Sequence, residues 1–241
     1  MLQKKGLHIH QLTDFNIQNI SGYNIVVLGG VFCPILRVDN NMKWIAQICE
    51  KIKGENKLVR IYIQQPFYLL ENSGPFSDFI NNTRNMELID GVLVNSPGAV
   101  RHFSEDTEII VSRFTVGKRK RVNRYFYDLL SGFNVIAVEC FAGDSELIED
   151  VREHSNLPLW IREGEGRLYS FSSKCILEKY LGYCTNKPDK CASGAYFIKS
   201  SKHNARFVLS GHSTYTGTST PVHDYLVGCD SIIYNAGGFE I

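Results

Sequence analysis

Short runs of apolar, mostly β-branched residues recur along the chain, and amphipathic segments of helical period lie between many of them. The runs cover residues 7–11, 24–28, 58–63, 91–94, 109–112, 135–139, 159–162, 206–209 and 231–234. Most are continuously apolar, which is the pattern of strands buried on both faces. Residues 40–53 place Trp44, Ile45, Ile48 and Ile52 on one stripe, with Asp39 or Asn40 as N-cap and Gly54 as the end of the helix. Residues 76–85, 120–130 and 144–154 read as further helices. The last begins with acidic residues, as the helix dipole prefers. Strand and helix in alternation imply a parallel sheet. Seven or eight such units predict an α/β fold of the TIM-like (β/α) barrel type rather than an open sheet. No G-x-G-x-x-G follows an early strand, which weakens a dinucleotide-binding reading.

The alternation breaks over residues 166–200, a polar stretch expected to be loop-rich. We read residues 1–241 as a single barrel domain, with 166–200 an insertion near its C-terminal third. No other repeat and no low-complexity tract stands out. Lys plus Arg number 26 and Asp plus Glu 25, for a formal charge of +1, which is not the balance of a general nucleic-acid or membrane-surface binder. The first residues hold two lysines with no apolar stretch after them, and no run of 18 apolar residues occurs, so a cytoplasmic protein with no membrane span is expected.

The insertion carries Cys175, Cys184 and Cys191, spaced C-x8-C-x6-C, among seven cysteines in all. An odd count in a reducing compartment points away from a disulfide framework. The spacing is neither a zinc ribbon nor a bacterial ferredoxin run, so metal ligands and scattered buried thiols both remain open. A metal centre needs a fourth ligand. Cys33 follows the strand at 24–28 and Cys140 follows the one at 135–139, so both belong to the C-terminal rim, where such barrels place their chemistry. Cys49 falls in a helical stripe and reads as a core thiol, and Cys229 precedes a strand and reads as structural. Arg37, Lys174, Lys187 and Lys190 either offset an anionic [4Fe–4S] centre or are solvated loop residues.

The stretch "GEGRLYSFSSKCIL" resembles the signature segment of peptidase family U-32, the collagenase-like proteins, at Gly166, Ser170, Ser172, Cys175 and Leu177. Tyr169 stands where many members carry a first cysteine. "NIVVLGGVFCPILR", "DGVLVNSPGAV" and "KPDKC" are similar to further segments of the UbiV-type iron–sulfur branch. That resemblance implies a [4Fe–4S] cluster held by Cys33, Cys175 and Cys191; zinc is the alternative metal for these thiols. The branch's final cysteine is replaced by the run from Ala192 to Ala195, and Cys184 takes its place. Thr214 stands near the last ligand of another branch and sets this chain apart from it. The resemblance implies oxygen-independent hydroxylation of a quinone precursor, an RNA base or another small aromatic, with prephenate as hydroxyl donor. It also implies a paralogous partner subunit in a heterodimer, which is expected to cover the edge left by the short C-terminus. The alternatives are a U-32-type peptidase and a non-catalytic partner subunit.

Asn95, Arg113, Glu139 and Arg162 lie at the C-terminal ends of apolar runs. Two arginines converging there would grip a dicarboxylate such as prephenate, or the same residues would form structural ion pairs inside the barrel. His8 and His10 share one face of a strand. A hydrolase metal site would need further histidines at later strand ends, so a structural pair is the favoured reading. "GKRKR" at 117–121, followed by Tyr125, Phe126 and Tyr127, is either an RNA contact or a solvated patch. His212, Ser213 and Asp224 hold the residue types of a hydrolytic triad, without a nucleophile elbow.

Overall fold

A computed structural model describes residues 5–9, 16–30, 37–66, 74–116, 124–141, 144–163, 167–171, 195–200, 205–210, 213–216 and 232–236. Seven parallel strands curl round a common axis: β1 (Lys5–Ile9), β2 (Ile25–Leu28), β3 (Arg60–Gln64), β4 (Gly91–Val94), β5 (Glu108–Val111), β6 (Val135–Phe141) and β7 (Leu159–Glu163). A last parallel strand, β12 (Ile232–Ala236), pairs with β7 on one side and β1 on the other and closes the barrel. The α/β barrel expected from the strand–helix alternation is thus present.

Helices α1 (Met42–Glu55), α2 (Gly74–Asn85), α3 (Arg124–Leu130) and α4 (Ser145–His154) fall in the crossovers. Short 3-10 turns supplement them, and between β4 and β5 the turn at Pro97–His102 is the only helical piece. Helix α1 buries Ile45, Ile48, Cys49 and Ile52, the i, i+3, i+4, i+7 set. Trp44 lies off that stripe, 38% exposed, contrary to the expectation that it would share it. The cap residue is Asn41, with no side-chain cap bond, because Val38–Asn40 forms a 3-10 turn of its own. Gly54 is inside the last turn rather than beyond it, and Asn56 is the C-cap.

Within 166–200, residues 167–171 and 195–200 form strands where loop was expected, and residues 172–194 lie outside the described residues. Strands β8 (Arg167–Phe171) and β9 (Ala195–Ser200) join β10 (Ala205–Ser210) and β11 (Ser213–Thr216) in an antiparallel sheet of order β8-β11-β10-β9. The apolar run at 206–209 therefore belongs to this second sheet and not to the barrel. Both strands are short, and the β9–β10 register pairs Ala195 to Ser200 with Ser210 to Ala205.

Alternation along each barrel strand divides the core into two shells. Leu7, Val26, Leu28, Ile61, Ile63, Val92, Val94, Ile109 and Val111 face outward into one cluster with α1 and α2. Val138, Cys140, Leu159 and Ile161 face outward onto Tyr127 of α3 and onto Leu147 and Val151 of α4. The opposite faces of the strands form a separate inner cluster of Ile25, Val27, Tyr62, Leu93, Ile110, Ala137 and Trp160.

The register sorts these inner residues into layers. His8 pairs with Val27 and Val27 with Tyr62, while Gln64 pairs with Leu93 and Leu93 with Ile110. Glu139 pairs with Trp160, and Arg162 with Tyr234, which pairs with Gly6. In a tilted barrel, the layer mate two strands away lies two residues beyond the paired one. Gly6, Tyr62, Ile110 and Trp160 then share one layer, and the Tyr62 and Trp160 rings meet edge to face at 5.1 Å. The next layer toward the C-terminal ends is His8, Gln64, Ser112 and Arg162. The same stagger puts Val27, Leu93 and Glu139 between these two layers, and Gly29, Asn95 and Phe141 above both. The lumen is apolar below and polar above.

Gly91 faces inward between β3 and β5, where a Cβ would run into the backbone carbonyl of Glu108. Gly54 has open space around it. Gly91→Ala should cost roughly 1–3 kcal/mol as overpacking against rigid backbone. Gly54→Ala should be neutral or stabilise by up to about 1 kcal/mol. Urea unfolding of the two variants checks the contrast.

Candidate functional site

The polar upper layers are built from strand ends. His8 is fully buried, and its Nε2–H donates to the carbonyl of Gly29 at 2.8 Å, which fixes the ring's orientation. Gly29 itself has φ +105°, a conformation that glycine adopts freely and side-chain-bearing residues rarely do. Two strands on, Asn95 after β4 donates its backbone N–H to Gln65 Oε1 at 2.9 Å and its Nδ2 to the Gln65 carbonyl. Asn95 Oδ1 accepts from Gln64 Nε2 at 2.9 Å.

On the far side, Ser112 donates to Glu139 Oε2 at 2.8 Å, and Arg162 Nη1 lies 3.7 Å from Glu139 Oε1. The Arg162 guanidinium also stands over the ring of Phe141, 5.5 Å from its centroid. Glu139 and Arg162 are almost wholly buried, at 0% and 2% exposure. Neither charge would be tolerated there without the other.

Arg113 takes a different partner. It opens the 3-10 turn after β5, and its Nε donates to the carboxylate of Asp144, the residue before α4. Both side chains are buried. Of the four polar residues singled out in sequence, Glu139 and Arg162 are therefore brought together, Asn95 joins Gln64 and Gln65 at the end of β3, and Arg113 pairs with Asp144. Each arginine faces a carboxylate of this chain. Gln64, Gln65, Ser112 and Asp144 belong to the same constellation and escaped the sequence reading. Their only signal is a polar residue closing an apolar run, or one standing before a helix.

Cys140 is one residue from Glu139 but faces the other way, into the outer apolar shell with Tyr127, Leu147, Val151 and Ile161. Burial pushes its thiol pKa far up, and the nearby carboxylates of Asp144 and Glu139 push it further. Cys49 is likewise buried, and desolvation raises its pKa to about 12. Neither is placed as a ligand to a centre in the lumen. Cys33, Cys175, Cys184, Cys191 and Cys229 lie outside the described residues, as do His10, His212, Asp224 and residues 117–121. Among the described residues no group of three or more His, Cys, Asp or Glu is disposed to hold a metal ion. Of the aromatic trio after the basic run, Tyr125 is exposed, whereas Tyr127 is buried and donates to Asp150 at 3.0 Å.

No protein-family model matches the chain, and no curated protein does. Among solved structures, the tryptophan synthase alpha subunit of Legionella pneumophila str. Paris is similar at a TM-score of 0.47 and 12% identity, over 68% of this chain and 74% of that one. The type I 3-dehydroquinate dehydratase of Clostridium difficile gives 0.45 and 10%, over 67% and 76%. A family 18 N-acetylglucosaminidase from Paenibacillus barengoltzii gives 0.40 and 10%, over 89% and 87%. These likenesses are of outline and say nothing of what this chain does.

Two outcomes are expected. Arg162→Met should destabilise by about 3–5 kcal/mol, since it leaves Glu139 charged and buried. Adding Glu139→Leu should restore part of that loss, and denaturant unfolding of the double-mutant cycle measures the coupling. Iodoacetamide at pH 8 should leave Cys49 and Cys140 unmodified in the folded protein, because both stay protonated and enclosed. Both should be alkylated in urea, as read by peptide mass spectrometry.

Proposed function

We propose that this chain is an iron–sulfur enzyme, or enzyme subunit, that acts on a small molecule at the C-terminal end of the barrel. The observation that carries the reading is the polarity of the lumen. Buried charge and amide groups gather in the upper layers of the inner shell, whereas Ile25, Val27, Tyr62, Leu93, Ile110, Ala137 and Trp160 fill the rest of it. Such a layer costs stability, and a barrel that needed only to fold would fill it with apolar side chains.

The same end is where the cysteine-bearing segments leave the barrel. The connection after β2 contains Cys33, and the chain beyond β7 contains Cys175, Cys184 and Cys191. Cys49 and Cys140 are closed into the outer shell, so thiolate ligands have to come from these residues or Cys229. We assign a [4Fe–4S] cluster to Cys33, Cys175, Cys184 and Cys191, with zinc as the alternative metal. When bound, the cluster supplies one-electron chemistry.

The chain's own groups would do the rest. Arg162, held by Glu139 and Phe141, and the amides of Gln64 and Asn95 orient a ligand over the apolar floor. That floor excludes water from below. Oxygen-independent hydroxylation, as in the iron–sulfur branch of peptidase family U-32, is the chemistry we assign. A paralogous partner subunit, prephenate as hydroxyl donor and a cytoplasmic location belong to the same proposal. No helix among the described residues is long and apolar enough to cross a membrane.

Protein purified without oxygen should hold about four irons and four sulfides per chain. Cys33→Ser, Cys175→Ser, Cys184→Ser and Cys191→Ser should each lower iron content, and Cys49→Ser and Cys140→Ser should not. One zinc and no iron would make the cysteine segment structural, and no metal would remove the cluster altogether.

A further inference from the structure

The hydrogen bonds of the upper lumen fix the direction of every amide in it. The Gln65 backbone carbonyl can only accept, so it is Asn95 Nδ2 that faces it. Asn95 Oδ1 therefore faces Gln64, and Gln64 must present its NH2 to that oxygen. The same NH2 lies 3.4 Å from the Leu93 carbonyl, a second acceptor, which agrees with this orientation. Gln64 Oε1 is then turned away from the amide cluster. It is fully enclosed, and no described residue donates to it. An acceptor left in that state costs as much as a lost hydrogen bond unless something supplies the donor.

Among the described residues the charges around it are balanced. Glu139 and Arg162 are one anion and one cation, 3.7 Å apart. His8, Gln64, Ser112 and Asn95 carry no charge when His8 is neutral. A dianion entering this layer would meet one arginine already facing a carboxylate, and a glutamine oxygen that repels it. A cation would bring an excess charge into a site of low dielectric.

We propose that the layer of His8, Gln64, Ser112 and Arg162 receives an uncharged small molecule that donates an O–H or N–H to Gln64 Oε1. An alcohol, phenol or amide group has that chemistry and a dicarboxylate does not, which assigns this layer to the aromatic acceptor of the proposed hydroxylation and not to prephenate. This rests on the reading of the upper lumen as the reaction chamber, and it specifies the ligand by charge and donor rather than by the reaction it undergoes. The Tyr62–Trp160 contact one layer below sets how far the donor group can descend.

The test is ligand-observed saturation-transfer NMR on the full chain purified without oxygen. Acetamide and phenol serve as neutral donors, succinate as dianion and methylammonium as cation. Saturable transfer to acetamide or phenol, and none to succinate, is expected for the native chain. Gln64→Met keeps the bulk but removes the acceptor, and should weaken that binding about fivefold, the effect of one hydrogen bond. Gln64→Glu adds one negative charge to a balanced layer and should gain methylammonium binding instead. It keeps the test open if Gln64→Met fails to fold. No transfer to either neutral probe would mean that water alone fills the position, and the proposal would fall. It would also fall if succinate alone bound, or if a folded Gln64→Met bound the neutral probes as well as the native chain does. Iron content measured on both variants separates the two readings: unchanged iron with lost probe binding bears on the lumen site, and absent iron in the native chain bears on the cluster.

Discussion

The closure of the barrel is the constraint on which the rest depends. Strand β12 fits between β7 and β1 with Arg162 opposite Tyr234 and Tyr234 opposite Gly6. Carried round the sheet, that stagger decides which side chains share a level. It sets Tyr62 against Trp160, Gln64 beneath Asn95, and Glu139 between Ser112 and Arg162. A slip of one residue in any strand would send its inner set outward. On β6 the slip would exchange Glu139 for Cys140, putting a carboxylate into the apolar shell against Leu147 and Val151. The buried charges thus specify the register at least as much as they stabilise it.

That distinction matters for reading the site. A buried ion pair is weak evidence for stability, since apolar residues of like volume often serve as well. Glu139 and Arg162 have apolar neighbours on the same strands that fill the lumen without penalty, namely Ala137 and Trp160. The charged pair occurs at one end only, among side-chain amides and a serine hydroxyl. Asp144 gives up the usual capping bond at the start of α4 and turns to Arg113 instead. Several local preferences are set aside at the same end of the barrel, which is the pattern of a site shaped for something other than folding.

The fold was legible because strands buried on both faces have nowhere to hide their apolar runs. Seven of the nine runs read in sequence became β1–β7, and the last became β12. The same property made the faces illegible. "IVVL" and "GVLV" look alike from either side, so nothing in the run told Val26 from Val27, or Cys140 from Glu139. Cys140 at the rim of β6 has the position of a lumen ligand and the parity of an outer-shell residue. Gln64 stands one residue beyond the run at 58–63, and Ser112 is the uncharged last residue of the run at 109–112, overshadowed by the charged Arg113 beside it. The second sheet was missed in part because "RLYSF" and "AYFIKS" flank the cysteine segment, whose polarity dominated the stretch. Trp44 was misplaced because it is adjacent in sequence to the helix stripe, and one residue is a 100° turn.

Tyr62 shows how the two ends of the barrel are kept apart. Its ring is the floor of the polar layers, packed on Trp160, while its hydroxyl donates to Glu108 at 2.6 Å on the N-terminal side. Desolvation raises its pKa, so it stays a neutral donor. Around it lie the partly exposed groups Arg60, Glu108, Asp90 and Lys53. Asp90 accepts from the backbone N–H of Ile61, and Lys53 donates to the carbonyl of Val59, so these groups tie the end of α1 to the starts of β3 and β4. Surface pairs of this kind are individually weak. Their effect is positional: they hold the strand starts, and through Tyr62 the floor, without drawing on any group of the upper layers. Substitutions above the floor can then alter what the lumen accepts while the N-terminal end keeps the strands in register. The division of labour follows from one aromatic side chain whose ring faces the site and whose hydroxyl faces away from it.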